Sequence, residues 1–413
     1  MVAVMRVEHS GPGLEAELDG AVEIRTPGVV AAGALLAVAV VLVALNLRPA
    51  ITGVGPMLEE MRLDLGVSAV WAGVLTTLPT LCFAGAGLVA PLLARRAGIG
   101  AAIAVALTTL AGGLVLRVLD GPFVVLGGTL VATAGIALVN VLIPVVIKDS
   151  FPARIGLMTG VYTAALQGGG ALGSAVTPQL GDAFGGWRPA LGAWAVLAAV
   201  ALLVWLLAAR GSGRAPRRAE TADGGRSLLR NRLAWIVTGF FGLQGFYAYA
   251  AMGWFPQVLM DAGVPRSEAG LLMGLVSLVA VPISLFVAPL AARGRGQGGW
   301  IIALSVLGVA GTAGLMLAPA WSPLLWSLLA GLGMSVFSLA LTVIALRART
   351  GADTARLSGM AQGFGYLFAA LGPFLFGLLH DVTGSWFVPL AMLLAVLVAQ
   401  MVFGALAGRR RFV

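Results

Sequence analysis

A single cysteine, a single lysine and two histidines in 413 residues leave little for covalent or metal chemistry. Cys82 alone forms neither an intrachain disulfide nor a cysteine metal cluster. Charged residues make up 10% of the chain, against about 25% in soluble domains, while 59% is hydrophobic. A water-soluble fold of this composition would expose too much apolar surface, so lipid is the implied solvent. No His-Glu-x-x-His or Gly-x-Ser-x-Gly occurs, and none of the 17 acidic residues lies deep in a long apolar run. The nucleophile–base pair, paired carboxylates or metal ligands of an intramembrane enzyme are therefore missing. Glycine runs such as Gly168-Gly169-Gly170 lack the Gly-Lys of a phosphate loop, so they read as close helix packing and no cofactor is expected.

Glycine (58 residues) and positive charge (formally +9) are in excess. The charge does not read as a nucleic-acid surface, because the arginines sit in short gaps between apolar runs, which is a membrane topology signal. Runs of about 20 apolar residues, the length that crosses a bilayer, fall at 29–56, 68–93, 99–118, 122–147, 157–180 and 189–209. Six more follow at 233–255, 269–291, 300–317, 323–346, 358–379 and 387–407. The expected organisation is an acidic tail (1–28), a six-helix half (29–209), a linker (210–232), a second half (233–407) and a basic tail (408–413). The fold class is thus all-α and integral to the membrane, with twelve spans. With both termini inside, 21 of the 26 basic residues are cytoplasmic, three (Arg62, Arg188, Arg266) are outside, and Arg48 and Arg117 lie within spans. This satisfies the positive-inside rule and implies a multi-pass protein of the plasma or inner membrane.

The halves repeat one another. Residues 64–75, beginning Asp64-Leu65-Gly66-Val67, align without gaps on 261–272, beginning Asp261-Ala262-Gly263-Val264. The spans that follow end in Pro-Leu-x-Ala-Arg, at Arg95 and at Arg293. After the fifth span of each half comes Asp-x-x-Gly-x-Trp, at Asp182 to Trp187 and Asp381 to Trp386, with Leu-Gly pairs at 172–173 and 371–372 the same distance upstream. Parallel repeats of six spans are the architecture of the major facilitator superfamily.

Within that superfamily the chain resembles the cyanate and 2-nitroimidazole transporter family. The resemblance is carried by Asn46-Leu47-Arg48-Pro49-Ala50, Val54-Gly55-Pro56, Gly73 to Pro79, Asn140 to Pro144, Ile147 to Pro152, Phe241 to Gln244 and Trp254-Phe255-Pro256. It implies a secondary transporter that moves cyanate, nitroimidazoles or other small solutes by alternating access, as a monomer. The superfamily's signature between the second and third spans implies gate arginines at Arg95 and Arg96, with Arg293 at the repeated position. Pro91 stands where that signature has Asp, so the usual Asp-centred latch cannot form.

Arg48 is the most informative residue for a substrate site. An arginine near the membrane centre costs about 2.5–3.5 kcal/mol on insertion scales, so it faces a wet cavity, cargo or helix-end carbonyls rather than lipid. Thr52 lies one turn on, and Asn46 accompanies it. Asn140, Tyr162, Gln167, Gln362 and Tyr366 are further polar candidates, as are Ser335, Ser338 and Thr342, although in membranes such residues also serve as helix glue. Gln244, Tyr247 and Trp254 recur on one helix face, where an amide with aromatic rings would suit a small planar ligand, although Trp254 equally fits an interfacial belt. Arg117, one turn from Asp120, reads as a snorkelling arginine with a local ion pair. Proton coupling is open: it would run through His380 and Asp381 or a protonatable substrate, or be absent. The lack of an embedded acid favours an anionic or dipolar solute, with efflux of small aromatic compounds as the alternative.

Overall fold

Proline and glycine, more than polar stretches, decide where the rods of this protein bend. A computed structural model describes residues 27–151, 154–211, 228–294, 296–349 and 351–413. Most of the acidic tail, most of the linker and the side chain of Pro91 fall outside the described residues. The first rod, α1, comprises Pro27–Asn46, Pro49–Thr52, a 3₁₀ turn Gly55–Met57 and Leu58–Leu65. It is followed by α2 (Ala69–Ala97), α3 (Ile99–Leu116), α4 (Pro122–Ser150), α5 (Ile155–Phe184) and α6 (Trp187–Gly192 with Trp194–Gly211). The second set is α7 (Arg232–Asp261), α8 (Arg266–Pro282 to Ala288–Arg293), α9 (Gly298–Leu317), α10 (Pro323–Met334 with Val336–Arg347), α11 (Gly351–Ala369 with Leu371–Thr383) and α12 (Phe387–Ala407).

Ten of these rods are apolar enough as well as long enough to cross a membrane. The other two, α5 and α7, have 30 residues each but are diluted by glycine, amide and tyrosine. Of the two, α7 runs through the middle of the protein, where lipid does not set the composition. Along α7 nearly every side chain from Val237 to Leu259 is buried, whereas Phe123, Leu203 and Phe286 on outer surfaces are well exposed, as a hydrocarbon solvent permits. Helix ends follow local chemistry. Asn231 Oδ1 accepts hydrogen bonds from the Leu233 and Ala234 amides at 2.8 and 3.2 Å, and Ser68 Oγ caps α2.

Three apolar cores organise the bundle. One draws only on residues of α1–α6, and another almost only on α7–α12. The third spans both halves, from Val54, Met57 and Ala69 to Trp254, Phe376 and Leu393, and lies at the end opposite the two termini. At that end the halves are joined. Toward the termini each half keeps its own core, and a cavity runs between them. The terminus-side end of the second half is tied by buried Arg347, whose Nε donates to the Ala407 carbonyl at 2.7 Å and whose Nη2 donates to Gln297 Oε1 and, at 3.0 Å, to the Gly408 carbonyl.

Candidate functional site

Arg48 is positioned by a break in its own helix. The first segment of α1 ends at Asn46 and Pro49 opens the next, which leaves Arg48 in the turn between. Pro49 has no N–H, so the Leu45 carbonyl loses its helical donor. α5 closes on this break through glycine: a Cβ on Gly173 would fall 2.6 Å from Pro49 Cα, and one on Gly170 would fall 3.4 Å from Arg48 Cβ. Any larger residue at Gly173 would push the two rods apart.

The half-buried guanidinium faces a cavity of about 370 Å³ that extends toward α8 and α10. A second chamber of about 400 Å³, toward α2, α4 and α11, shares with it the lining residues Arg48, Tyr249, Met252, Phe337 and Tyr366. Arg48 Nη1 lies 3.7 Å from Met252 Sδ, and among the described residues no carboxylate comes within ion-pair distance of it. One wall is aromatic. The Phe83 and Tyr366 rings are 5.4 Å apart, and Tyr249 and Tyr366 meet edge-on at 6.3 Å. The opposite wall carries Gln167, Gln244, Ser277, Ser335, Ser338 and Thr342.

Backbone irregularity clusters around this chamber. α8 contains a wide π turn at Ile283–Val287 and α10 breaks at Ser335, and non-helical backbone at membrane depth is tolerated where it lines a cavity. Gln244 Nε2 donates to the Met334 carbonyl at 3.1 Å beside the α10 break, so its amide is pinned. Tyr162 Oη donates to Asn140 Oδ1 at 3.0 Å, and Gln362 Nε2 donates to Ser358 Oγ at 2.7 Å. Gln167 Nε2 donates to the Ser277 carbonyl at 3.4 Å, from α5 to α8, across the two halves. One fixed positive charge in a hydroxyl- and ring-lined chamber attracts an anion or the negative end of a dipole, and its aromatic faces suit a planar solute.

Ten of the sequence candidates therefore meet in the two chambers: Arg48, Asn140, Tyr162, Gln167, Gln244, Gln362 and Tyr366, together with Ser335, Ser338 and Thr342. Three do not line them. Asn46 is buried, and its amide donates to the Leu42 and Leu197 carbonyls at 2.8 and 3.3 Å. Thr52 Oγ1 donates to the Gly170 carbonyl at 2.9 Å and fastens α1 to α5. Tyr247 shares a 3.0 Å hydrogen bond with Thr312 inside the second half. The reason is rotational: from Gln244, a step of three residues turns about 60° one way and a step of four about 40° the other. The cavity takes the second stripe, Gln244, Ala248 and Met252. Sequence reasoning missed Tyr249, Phe83, Ser277 and Ser284. The rarity of tyrosine was a usable signal, because three of the four in the chain converge here.

Other expectations are corrected. Arg117 does not snorkel: it is fully buried, and its Nη1 donates to the Ala50 carbonyl of the broken α1 at 2.6 Å. Asp120 pairs instead with Arg188 at 3.1 Å. Trp254 is not in an interfacial belt but in the joint core, its Nε1 donating to the Pro373 carbonyl at 3.0 Å. His380 stacks on Trp386 at 3.7 Å, and Asp381 accepts from the Ala69 and Val70 amides at 3.3 and 2.9 Å, so neither lines the cavity. Arg95, Arg96 and Arg293 are exposed at the terminus-side end and hold no ion pair among the described residues.

Comparison with known proteins agrees with this architecture. The sequence profile described as Major Facilitator Superfamily matches residues 34–373. The 2-nitroimidazole transporter of Escherichia coli (strain K12) is 36% identical over 376 residues, covering 91% of this chain and 95% of that protein. The cyanate transport protein CynX of the same organism is 31% identical over 349 residues, covering 84% and 90%. The crystal structure of the nucleoside transporter NupG superposes with a TM-score of 0.70 at 14% identity, over 90% of this chain and 98% of that one, which speaks for the fold alone. The chain is a multi-pass membrane transporter of small solutes, not an enzyme, and it belongs to the Major Facilitator Superfamily, with the 2-nitroimidazole and cyanate transporters among its relatives.

Proposed function

We propose that this protein moves a small anionic or strongly dipolar organic solute, cyanate- or nitroimidazole-like, by alternating access, with Arg48 as the fixed cation that meets it. The observation that carries the reading is a guanidinium half-exposed to a central cavity with no carboxylate within ion-pair distance among the described residues. Such a charge, held away from bulk water, gains most from a solute that supplies the missing counter-charge. Tyr162, Tyr249 and Tyr366 supply hydroxyls and ring edges, and Asn140, Gln167, Gln244 and Gln362 supply amides. Relatives named for 2-nitroimidazole and for cyanate support the size and polarity assigned to the cargo.

In this reading both termini are cytoplasmic in the cell membrane, residues 29–209 and 233–407 rock against each other, and the conformation described is open to the cytoplasm. Arg95, Arg96 and Arg293 then face the cytoplasmic gate. The placement of His380 and Asp381 away from the cavity supports a protonatable substrate or a passive carrier over a relay through that pair. The aromatic wall formed by Phe83, Tyr249 and Tyr366 favours a second reading, efflux of small aromatic compounds, with the same Arg48. Flux of cyanate and of 2-nitroimidazole into proteoliposomes tests both. Arg48→Ala should insert and fold yet carry neither, and wild-type flux in that variant removes Arg48 from the site.

A further inference from the structure

The Asp-x-x-Gly-x-Trp repeat, which the cavity does not use, has a place in the fold. In the first half, Trp187 Nε1 donates to Asp64 Oδ2 at 3.0 Å, and in the second Trp386 Nε1 donates to Asp261 Oδ2 at 2.8 Å. Asp64 and Asp261 open the other repeated stretch, so the two motifs of each half bind one another. The tryptophans thereby fix the loops that lead into α2 and α8.

The aspartates of the same motif reach across to the opposite half. Asp381, at the end of α11, accepts from the first amides of α2, on Ala69 and Val70. Asp182, at the end of α5, pairs with Arg266 at the start of α8, and Arg266 also pairs with Glu60. In the repeat alignment Ala69 and Arg266 are the same position. Four residues further on, Gly73 and Gly270 are again the same position. A Cβ on Gly73 would lie 3.2 Å from the Pro373 carbonyl of α11, and one on Gly270 would lie 2.5 Å from the Ser174 carbonyl of α5. Pro373 and Ser174 stand at matching distances before Asp381 and Asp182. The aspartate contact and the glycine contact that each half makes on the other at this seam are thus answered by their counterparts. The Glu60–Arg266 pair has none, since Gln257, at the position equivalent to Glu60, donates to Asp261 of its own half.

We infer that the two Asp-x-x-Gly-x-Trp motifs form one duplicated latch that closes the end of the transporter opposite its termini, and must be released for that end to open. The inference rests on the alternating-access reading above. The two copies differ in chemistry. Asp381 sits at a helix N-terminus, where the backbone amides and the helix dipole hold it whatever side chain Ala69 carries. Asp182 depends on a charged partner, Arg266, that is about one-third exposed. The Trp-Asp bonds act as positioning contacts, holding the loops so that both latches meet their targets.

A reporter cysteine tests the latch. With Cys82 replaced by Ser, Ala248→Cys places one thiol on the cavity wall, and a membrane-impermeant maleimide is applied separately to each face. In Asp381→Asn and in Arg266→Gln, labelling from the latched face should quicken roughly fivefold, the effect expected of one modest pair. Adding Asp182→Asn to Arg266→Gln should change the rate little beyond that of Arg266→Gln alone, because the two residues belong to one pair. Labelling from the terminus-side face reports folding independently. Unchanged latched-face rates in variants that label normally from the other face overturn the latch, as do singles that label from neither face, since the residues would then be folding determinants. If the parent's latched-face rate responds to 2-nitroimidazole or cyanate but not to the variants, only the latch is lost. If it responds to nothing, alternating access is lost with it.

Discussion

The two ends of this protein are held by different means. At the end away from the termini the halves share one core, their glycines bring backbones into contact, and their charges pair across the seam. At the terminus-side end each half closes on itself: Arg347 ties α10 to the ends of α9 and α12, while Arg95, Arg96 and Arg293 stay exposed. A seam built from small residues and partly hydrated ion pairs can come apart without burying an unpaired charge. A buried guanidinium bonded to three carbonyl oxygens cannot. The first arrangement suits a surface that opens and the second suits a rigid body that moves.

The largest effect that would sharpen this contrast sits between the two ends. Arg48→Ala should bring flux of cyanate and 2-nitroimidazole to background, and substrate-induced thermal stabilisation should vanish with it; loss of a charged hydrogen bond corresponds to roughly 10- to 150-fold in affinity. Next is Arg347→Ala, which leaves the Ala407 carbonyl and Gln297 Oε1 without their donor, while the Gly408 carbonyl keeps only the Gln297 amide at 3.3 Å. Each stranded buried group costs about 1–3 kcal/mol, so the melting temperature of the purified protein should fall by several degrees. An unchanged melting temperature would remove the rigid-body side of the comparison.

Gly270→Val should act at the seam, because its Cβ meets the Ser174 carbonyl, whereas Gly85→Val, with open space at that position, should not. Overpacking of this kind costs about 1–3 kcal/mol. It should appear as faster latched-face labelling of the Ala248→Cys reporter, and equal rates in the two glycine variants would break the comparison. The smallest effect is that of salt. The Arg266 pairs are partly exposed and worth about 0–1 kcal/mol, so raising ionic strength to about 1 M should quicken latched-face labelling by less than about fivefold. A larger response would mean that charge, not close packing, holds the seam.

Much of the fold was legible because lipid imposes a simple length rule, and the repeats were legible because duplication left Asp64, Gly73 and Asp182 copied at Asp261, Gly270 and Asp381. The site was legible only in part. Arg48 announced itself through the cost of a charge at membrane depth, and Gln244 through its amide. Tyr247 and Tyr249 could not be told apart, since α7 is buried on every side and no lipid-facing stripe fixes its rotation. Arg117 and Asp120 looked like a surface pair because they are neighbours in sequence, yet one is fully buried and the other almost fully exposed.

The sequence by itself determined that this chain lives in a bilayer, crosses it as helices, comes in two related halves and keeps one cation within reach of its pathway. Hydrophobic length, charge placement and self-similarity are local properties that need no partner to be read. Only the tertiary structure decided which polar groups look into the cavity and that Asp381 and Asp182 each bind the opposite half at the far end. Those facts depend on contacts between residues far apart in the chain, such as Asp381 with Ala69, whose meeting is set by how whole helices pack.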